Sequence, residues 1–418
     1  MIRNIKGTKD LLPHDTVKWR FIESKIHKFL NSYGYGEIRT PIFESTDLFI
    51  RGIGNETDIV SKEMYSWLDQ GGKNLTLRPE LTAPVVRSYI QHNLQSLSPI
   101  TKLYYFDSLF RRERPQAGRQ RQFHQYGIEA LGSEFPEQDA EVIEIAYKIY
   151  KQFNIKELAV RINTIGSSSI RENYLKILKK SLSKYKSYLS PISQKRLDNN
   201  ALRIFDSKNE DDKKIVEDNA PFIFDHISDE DLNHFNQLKN ILDKINIPYF
   251  HDKKLVRGLD YYTRTTFEIK SKNLGAQDAL CGGGRYDKLV KQLGGKNTPA
   301  VGFAAGVERL LMLINDDAFD QLDNIKIYIS ILGEQNIPDA MKIVSDLRKN
   351  TNLNINIESN RRSLKSQMRE ANRQKCSYVI IIGENELQSK IVLIKNMING
   401  EQEKIDIKDL NTYFDKNI

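Results

Sequence analysis

From Ile325 onward the chain alternates strand-like and helix-like runs, and this alternation narrows the choice of fold more than any other feature. The spacing predicts strand 325–332, helix 337–349, strand 353–358, helix 363–374, strand 377–382 and strand 391–395. Short strands separated by amphipathic helices build a small α/β domain, because each helix buries its apolar stripe on the sheet. Asn399-Gly400 predicts a hairpin turn before one last strand. The polar, acidic stretch Asn315 to Asn324 reads as a linker, so this domain is expected over residues 325–418.

The sequence before the linker follows other rules. Val17, Phe21, Ile26, Phe29, Leu30 and Tyr33 fall at helical spacing over 14–33, with Asp15 as the expected N-cap and Gly34 as the stop. Tyr35 to Phe43 is extended, and Pro41 should end that strand or hold it at an edge, since proline cannot donate to a ladder. Strands are expected from Leu103 to Phe110 and from Gln122 to Leu131, then a helix over 139–153. Strand-like sequence resumes at Leu255 to Ile269, followed by a glycine cluster and the stretch Thr298 to Ile314, in which a strand runs into an apolar helix. These runs indicate a mainly antiparallel α+β core, with a first part at 1–169 and a second at 251–320. Between them, residues 170–250 are dense in Lys, Asp, Asn and Ser and are periodic only as helices, which reads as a helical insertion.

Composition excludes several classes. No apolar run approaches the roughly 20 residues a membrane helix needs, and no signal segment follows the first residues. Only two cysteines occur, Cys281 and Cys376, without Cys-x-x-Cys spacing, and the seven histidines lack metal-ligand spacing. This argues against a disulfide framework or structural zinc and favours a reducing, cytoplasmic location. The net charge of +8 permits a polyanionic partner such as RNA without requiring one.

Neither a Gly-x-x-x-x-Gly-Lys-Ser/Thr phosphate loop nor a Gly-x-Gly-x-x-Gly fingerprint is present, so any use of ATP needs another apparatus. Phe110-Arg111-Arg112-Glu113 is the first candidate. Read as strand, it puts Arg111 and Glu113 on one face, where a guanidinium can clamp a phosphate with two parallel hydrogen bonds. Residues 114–121 form a basic turn, and the next strand carries Phe123, Gln125, Gly127 and Glu129 on one face. A ring, an amide and a carboxylate in register suit a base plus a polar substrate, although a solvated surface hairpin would show the same pattern. Gly282, Gly283 and Gly284 remove three side chains and would let a ligand approach the backbone, or else mark a bulge.

Together these segments resemble class II aminoacyl-tRNA synthetases. Tyr35 to Phe43 resembles motif 1, the Phe-Arg-x-Glu strand with its loop and following strand resembles motif 2, and Gly302-Phe-Ala-Ala-Gly-Val-Glu-Arg309 resembles motif 3. Leu255-Val-Arg-Gly-Leu-Asp-Tyr-Tyr-Thr-Arg264 and Ala279-Leu-Cys-Gly-Gly-Gly-Arg-Tyr-Asp287 are similar to the two histidine signatures of histidyl-tRNA synthetases. The resemblance covers nearly the whole chain. It implies an antiparallel catalytic sheet with a helical insertion, a C-terminal anticodon-binding α/β domain, and a homodimer built on motif 1. It also implies ATP as substrate, with Mg²⁺, and L-histidine and tRNA(His) as partners.

Roles carry over residue by residue. The motif 2 arginine that holds the α-phosphate falls on Arg111, with Glu113 also in the ATP site, and the pair that sandwiches adenine falls on Phe123 and Arg309. Arg257 would face both the substrate carboxylate and the α-phosphate, Glu80, Thr82 and Gln125 the ammonium, and Glu129, Tyr262 and Tyr286 the imidazole. Leu81 departs from the pattern, standing where many relatives carry glycine, while its neighbours Glu80 and Thr82 remain. Arg114 and Gln116 in the motif 2 turn are candidates for tRNA contact. So are Arg361, Lys365, Arg369 and Arg373, which would form one stripe on a helix; a solvated face is the alternative. No protein ligand for a metal is identified. Two other readings share parts of the pattern: a non-catalytic regulatory subunit of histidine biosynthesis, and a class II synthetase for glycine, threonine or proline. The retained arginines and the third domain speak against the first, and the histidine signatures against the second.

Overall fold

The computed structural model describes residues 2–417 apart from 55–56, 117, 200, 208, 278 and 321–324. It divides into two compact units, one ending at Ile314 and one beginning at Asn315.

The first unit opens with helix α1 (Pro13–Ser32), which buries Trp19, Ile22, Ile26 and Leu30. Its N-cap is Leu12 rather than Asp15. Pro13 starts the helix because its missing N–H costs nothing in the first turn, and Asp15 instead accepts the Leu12 N–H from within that turn. Gly34, at φ +77°, ends the helix as expected. The motif 1 segment splits around Pro41 into β1 (Gly36–Glu37) and β2 (Phe43–Ser45). Helix α2 (Thr46–Ile53), β3 (Tyr65–Leu68), β4 (Asn74–Leu77) and α3 (Thr82–Gln91) follow, and β2, β4 and β3 form a three-stranded sheet of their own.

The long hairpin β5 (Thr101–Phe110) and β6 (Gln122–Leu131) pairs from Thr101↔Leu131 to Phe110↔Gln122. Helix α4 (Pro136–Gln152) and β7 (Leu158–Thr164) lead into the helical stretch α5 (Ser168–Ser183), α6 (Pro191–Asn199), α7 (Glu210–Asn219) and α8 (Asp229–Lys244). The chain returns through β8 (Phe250–His251), β9 (Thr263–Ser271), β10 (Ala279–Arg285), α9 (Leu289–Gln292), β11 (Ala300–Gly306) and α10 (Val307–Leu311). The eight-stranded sheet runs β1-β5-β6-β11-β10-β9-β7-β8, antiparallel except where β1 joins β5 and β8 joins β7. β1 is therefore an edge strand, and it ends four residues before Pro41. Tyr174, Leu178, Leu182, Leu197 and Leu202 of the helical stretch share one apolar cluster with Tyr89, Tyr262, Tyr286 and Leu289, so this stretch packs on the wall that carries the site.

Two strand expectations need correction. The motif 2 strand stops at Phe110, short of Glu113: Arg111 N–H still bonds to Arg121 O in the hairpin register, but Arg121 N–H goes to Gly7 O and Arg112 N–H to Glu63 O. Residues 255–262 are irregular and β9 begins only at Thr263; Asp260 N–H bonds to Ile53 O outside any ladder. Arg78 explains how these irregular pieces stay fixed. It is fully buried, donates from Nε to Ser108 O (2.8 Å) and from Nη1 to Thr40 O (2.6 Å), and pairs with Asp107. It thus ties the motif 1 segment to the motif 2 strand, and leaving such a buried pair half made costs about 3–5 kcal/mol.

The second unit begins with α11 (Asp317–Asp320) and carries β12 (Lys326–Ile331), α12 (Ile337–Asn350), β13 (Asn354–Ile357), α13 (Leu364–Arg373), β14 (Tyr378–Ile382), α14 (Glu384–Gln388), β15 (Ile391–Asn396), β16 (Gln402–Asp406) and α15 (Leu410–Asn417). Its sheet runs β13-β12-β14-β15-β16, the first three strands parallel and the last two antiparallel. Ile327, Ile329, Val344, Ile380, Val392 and Phe414 fill one core. Gly400, at φ +82°, sits in the turn before β16. Arg361 is not on the predicted helical stripe: α13 starts at Leu364, and Arg361 has φ +50° and pairs with Glu334 at 2.9 Å. Lys365, Arg369 and Arg373 remain exposed on α13.

Candidate active site

One cavity of about 740 Å³ opens on the face of the large sheet. Glu80, Thr82, Arg111, Glu113, Phe123, Gln125, Glu129, Arg257, Tyr262, Tyr286 and Arg309 all line it, so every residue expected to bind ATP or histidine meets in one place. Alternation along β6 presents Phe123, Gln125 and Glu129 together. Arg111 and Glu113 reach the same space from the irregular segment after β5, not from a strand face.

Local physics fixes each group. Arg111 donates from Nε to Pro79 O (2.8 Å), and its guanidinium lies 5.2 Å from the Phe123 ring centre. Glu113 pairs with Arg119 at 3.1 Å. Arg309 donates to Gly118 O (3.3 Å) and to Ala279 O, which holds it across the cavity mouth between the motif 2 loop and β10. Arg257 donates to Glu268 at 2.9 Å, and its buried Nε has no hydrogen-bond partner among the described residues. Burial opposes the Arg257 charge, but Tyr262 and Glu268 more than offset it and hold its pKa above the ordinary value.

Glycines make this arrangement possible. A β-carbon at Gly282 would overlap the Arg257 guanidinium, and one at Gly302 would overlap the Glu129 carboxylate. Of the glycine cluster, Gly282 clears room for the protein's own Arg257 where the sequence suggested room for a ligand, Gly283 faces the Gly302 carbonyl and Phe303, and the β9–β10 register shifts at Gly284, the bulge that was the alternative.

The two buried carboxylates have distinct surroundings. Glu80 accepts the Thr82 N–H (2.7 Å) and the Ala83 N–H (3.1 Å), which caps the N-terminus of α3. Glu129 accepts from Thr82 Oγ1 (2.8 Å) and Tyr105 OH (3.2 Å) at Oε1, and from Tyr286 OH at Oε2. Burial pushes Glu80 up to about 7 and Glu129 up to about 8, against the hydrogen bonds that favour their ionised forms. Tyr105 and Tyr261 had no assigned role in the sequence. Tyr261 lines the cavity, and Tyr105 lies behind Glu129. Arg161, Arg203 and Lys254, also unforeseen, line the same cavity, paired with Asp252, Asp58 and Glu217.

The raised carboxyls have a measurable consequence. The native chain holds both protons more tightly than the unfolded chain, whose carboxyls titrate near 4.5. Their stabilising contribution is complete below about pH 4.5 and is lost as pH rises through about 7 and 8. Glu129→Gln keeps the shape and removes one titration, so its melting temperature should fall less than the native chain's between about pH 5 and 8. Parallel melting curves across that range would contradict the assignment.

The family model described as Histidyl-tRNA synthetase matches residues 7–310, and that described as Anticodon binding domain matches residues 326–417. The chain belongs to the histidyl-tRNA synthetase family. A histidine–tRNA ligase of Staphylococcus haemolyticus is 43% identical over 99% of both chains. One from Caldanaerobacter subterraneus is 42% identical over 97% of both. The apo histidyl-tRNA synthetase structure from S. aureus matches with a TM-score of 0.83 and 38% identity, covering 99% of this chain and all of that one. Among the described residues no helix is long and apolar enough to cross a membrane, and no cluster of three or more His, Cys, Asp or Glu side chains is placed to hold a metal.

Proposed function

We propose that this synthetase-family chain is a histidine–tRNA ligase that joins L-histidine to ATP as histidyl-adenylate, then transfers histidine to the terminal adenosine of tRNA(His). The observation that carries the reading is the single cavity lined by both the arginine set and the carboxylate–phenol set. In the first step a histidine carboxylate oxygen bonds to the α-phosphorus while the bond to pyrophosphate breaks. Both partners are anionic, and Arg111 and Arg257 offset that repulsion and stabilise the charge that develops. No protein nucleophile is needed, only alignment. Phe123 and Arg309 bracket the adenine, and Glu80, Thr82 and Gln125 receive the ammonium.

Glu129, Tyr262 and Tyr286 read the imidazole. A site of buried hydrogen-bonding groups rejects rings that leave them unpaired. Mg²⁺ would arrive with ATP and be ligated mainly by phosphate oxygens and water, with Glu113 the cavity carboxylate suited to join it. Magnesium supplies charge neutralisation on the phosphates when bound.

We assign residues 1–169 and 251–320 to the catalytic core, 170–250 to the insertion and 325–418 to tRNA recognition. Arg114 and Gln116, exposed in the motif 2 loop, and Arg361, Lys365, Arg369 and Arg373 are the proposed tRNA contacts. The motif 1 segment, with Ile42 and Phe43 exposed beside Trp67, is the proposed two-fold dimer surface.

ATP–pyrophosphate exchange with each amino acid supplied singly tests the core of the reading. Exchange should occur with histidine alone, whereas none at all would favour a non-catalytic regulatory subunit of histidine biosynthesis. A chain cut near Asn324 should keep this exchange and charge tRNA poorly, with a shallower salt dependence of tRNA binding. A folded, dimeric truncated chain that charges tRNA as well as the full chain would sink the domain assignment.

A further inference from the structure

Glu129 is the buried carboxylate of the cavity, yet its geometry is set from behind. Oε1 has two lone pairs, and Thr82 Oγ1 at 2.8 Å and Tyr105 OH at 3.2 Å occupy both. Tyr286 OH occupies one acceptor position on Oε2, which leaves one acceptor position for a substrate donor. Tyr105 does not line the cavity. It sits on β5 directly opposite Gly127 of β6, and a β-carbon at Gly127 would overlap its ring and hydroxyl. The missing side chain at 127 is what lets the Tyr105 ring cross beneath β6 to reach Glu129. Tyr105 is 1% exposed, so its hydroxyl has no water to exchange with, and of the two acceptors in reach Glu129 Oε1 at 3.2 Å is nearer than Phe303 O at 3.5 Å.

We propose that Tyr105 is a positioning residue for substrate selection, which saturates Oε1 and so restricts Glu129 to a single acceptor for one ring N–H of the amino-acid substrate. The inference rests on the reading of Glu129 as the group that meets the imidazole. Its chemistry accounts for a phenol that stands behind Glu129 and not on the cavity surface with Tyr261, Tyr262 and Tyr286. The groups that face Glu129 are Glu80 beside α3, Tyr105 on β5, Tyr261 and Tyr262 before β9, and Tyr286 after β10. Burial and the neighbouring carboxylates hold the Tyr105 phenol well above its ordinary pKa, so it acts as a donor throughout the working range.

Tyr105→Phe keeps the ring and deletes only the donor. In ATP–pyrophosphate exchange run above about pH 8, where Glu129 is ionised, the KM for histidine should rise roughly tenfold or more, the scale of one hydrogen bond to a charged group. The KM for ATP and kcat should change little. With one donor gone, the carboxyl holds its proton more strongly, so the acid limb of kcat/KM for histidine should move to higher pH. Histidine's own ionisations are common to both proteins and cancel in that comparison. Tyr174→Phe deletes another buried hydroxyl, bonded to Pro221 O in the insertion, and should leave both readouts unchanged. Equal rises in the two KM values, or an unmoved acid limb, would reduce Tyr105 to a packing residue and overturn the proposal. Glu129→Gln in the same series separates the two ideas. If it leaves histidine use intact, the imidazole reading itself fails; if it abolishes histidine use while Tyr105→Phe is silent, only the positioning role fails.

Discussion

Arg257→Ala should slow single-turnover formation of histidyl-adenylate by roughly 10²–10³-fold, the scale for losing one preorganised electrostatic donor. The guanidinium is held charged in a buried position with a free Nε, so it costs no reorganisation when charge develops on the α-phosphate. Transfer from preformed histidyl-adenylate to tRNA should suffer less, because the carboxylate and phosphate no longer repel one another there. Gly282→Ala gives an independent route to the same result. The added methyl would occupy the place of the guanidinium, and the end of a long side chain can swing aside without disturbing the sheet. Both variants should therefore remain folded and be slow in the same step. Normal single-turnover adenylation in Arg257→Ala would remove this residue from the chemistry.

Gly302→Ala should be the more damaging of the glycine changes. Gly302 pairs with Glu129 across β6 and β11, and its new β-carbon would meet both the Glu129 carboxylate and the Ile128 carbonyl. The carboxylate can move, but the carbonyl belongs to a paired central strand and cannot. Overpacking of this kind costs about 1–3 kcal/mol and occasionally more. The displaced carboxylate would also lose its Thr82 and Tyr286 donors, so the KM for histidine should rise at least roughly tenfold on the hydrogen-bond scale. Gly36→Ala is the matched control, since a β-carbon there meets only Lys102 O at 3.9 Å. Thermal melting and exchange kinetics on both variants decide the matter. A Gly302→Ala protein as stable and as active as Gly36→Ala would show that the close approach is not a constraint.

These two glycines show why the site was only partly legible in the sequence. The charged and aromatic members could be named because their chemistry is visible in one letter and motif order brings them together. What surrounds them depends on approach between strands distant in sequence. Gly282 could be read as an opening, but its occupant, Arg257, lies on a segment whose apparent strand pattern, Leu255 to Ile269, is half irregular. Arg111 and Glu113 share a cavity and not a strand face, because beyond Arg111 the backbone leaves the ladder and Arg112 N–H bonds to Glu63 O. Tyr105 lies in the expected strand Leu103 to Phe110, and its own letter carries no sign of a role. The signal that could have found it was Gly127 directly across the hairpin, a strand position with no side chain facing a large ring. Arg361 fits a period of four, and only the φ of +50° shows that the helix has not yet begun. The strands and helices of the second unit followed its alternation closely, since each buries one face against a single core.

The capping of α3 by Glu80 bears on how this scaffold can evolve. A phosphate loop grips its nucleotide with backbone amides, which no codon change except one to proline can delete. Here the helix that starts at the cavity wall has already given its first amides to a protein carboxylate. The cations that face the cavity are side chains, Arg111, Arg257 and Arg309 among them. Each such contact is the product of one codon and can be erased singly, with the sheet beneath it left standing. On the proposed roles, the nucleotide contacts of Arg111 and Arg309 are therefore genetically detachable from the fold's stability and from the amino-acid pocket, to which Arg257 also belongs. A gene duplicate could shed catalysis in one or two substitutions and keep a well-formed receptor for the amino acid.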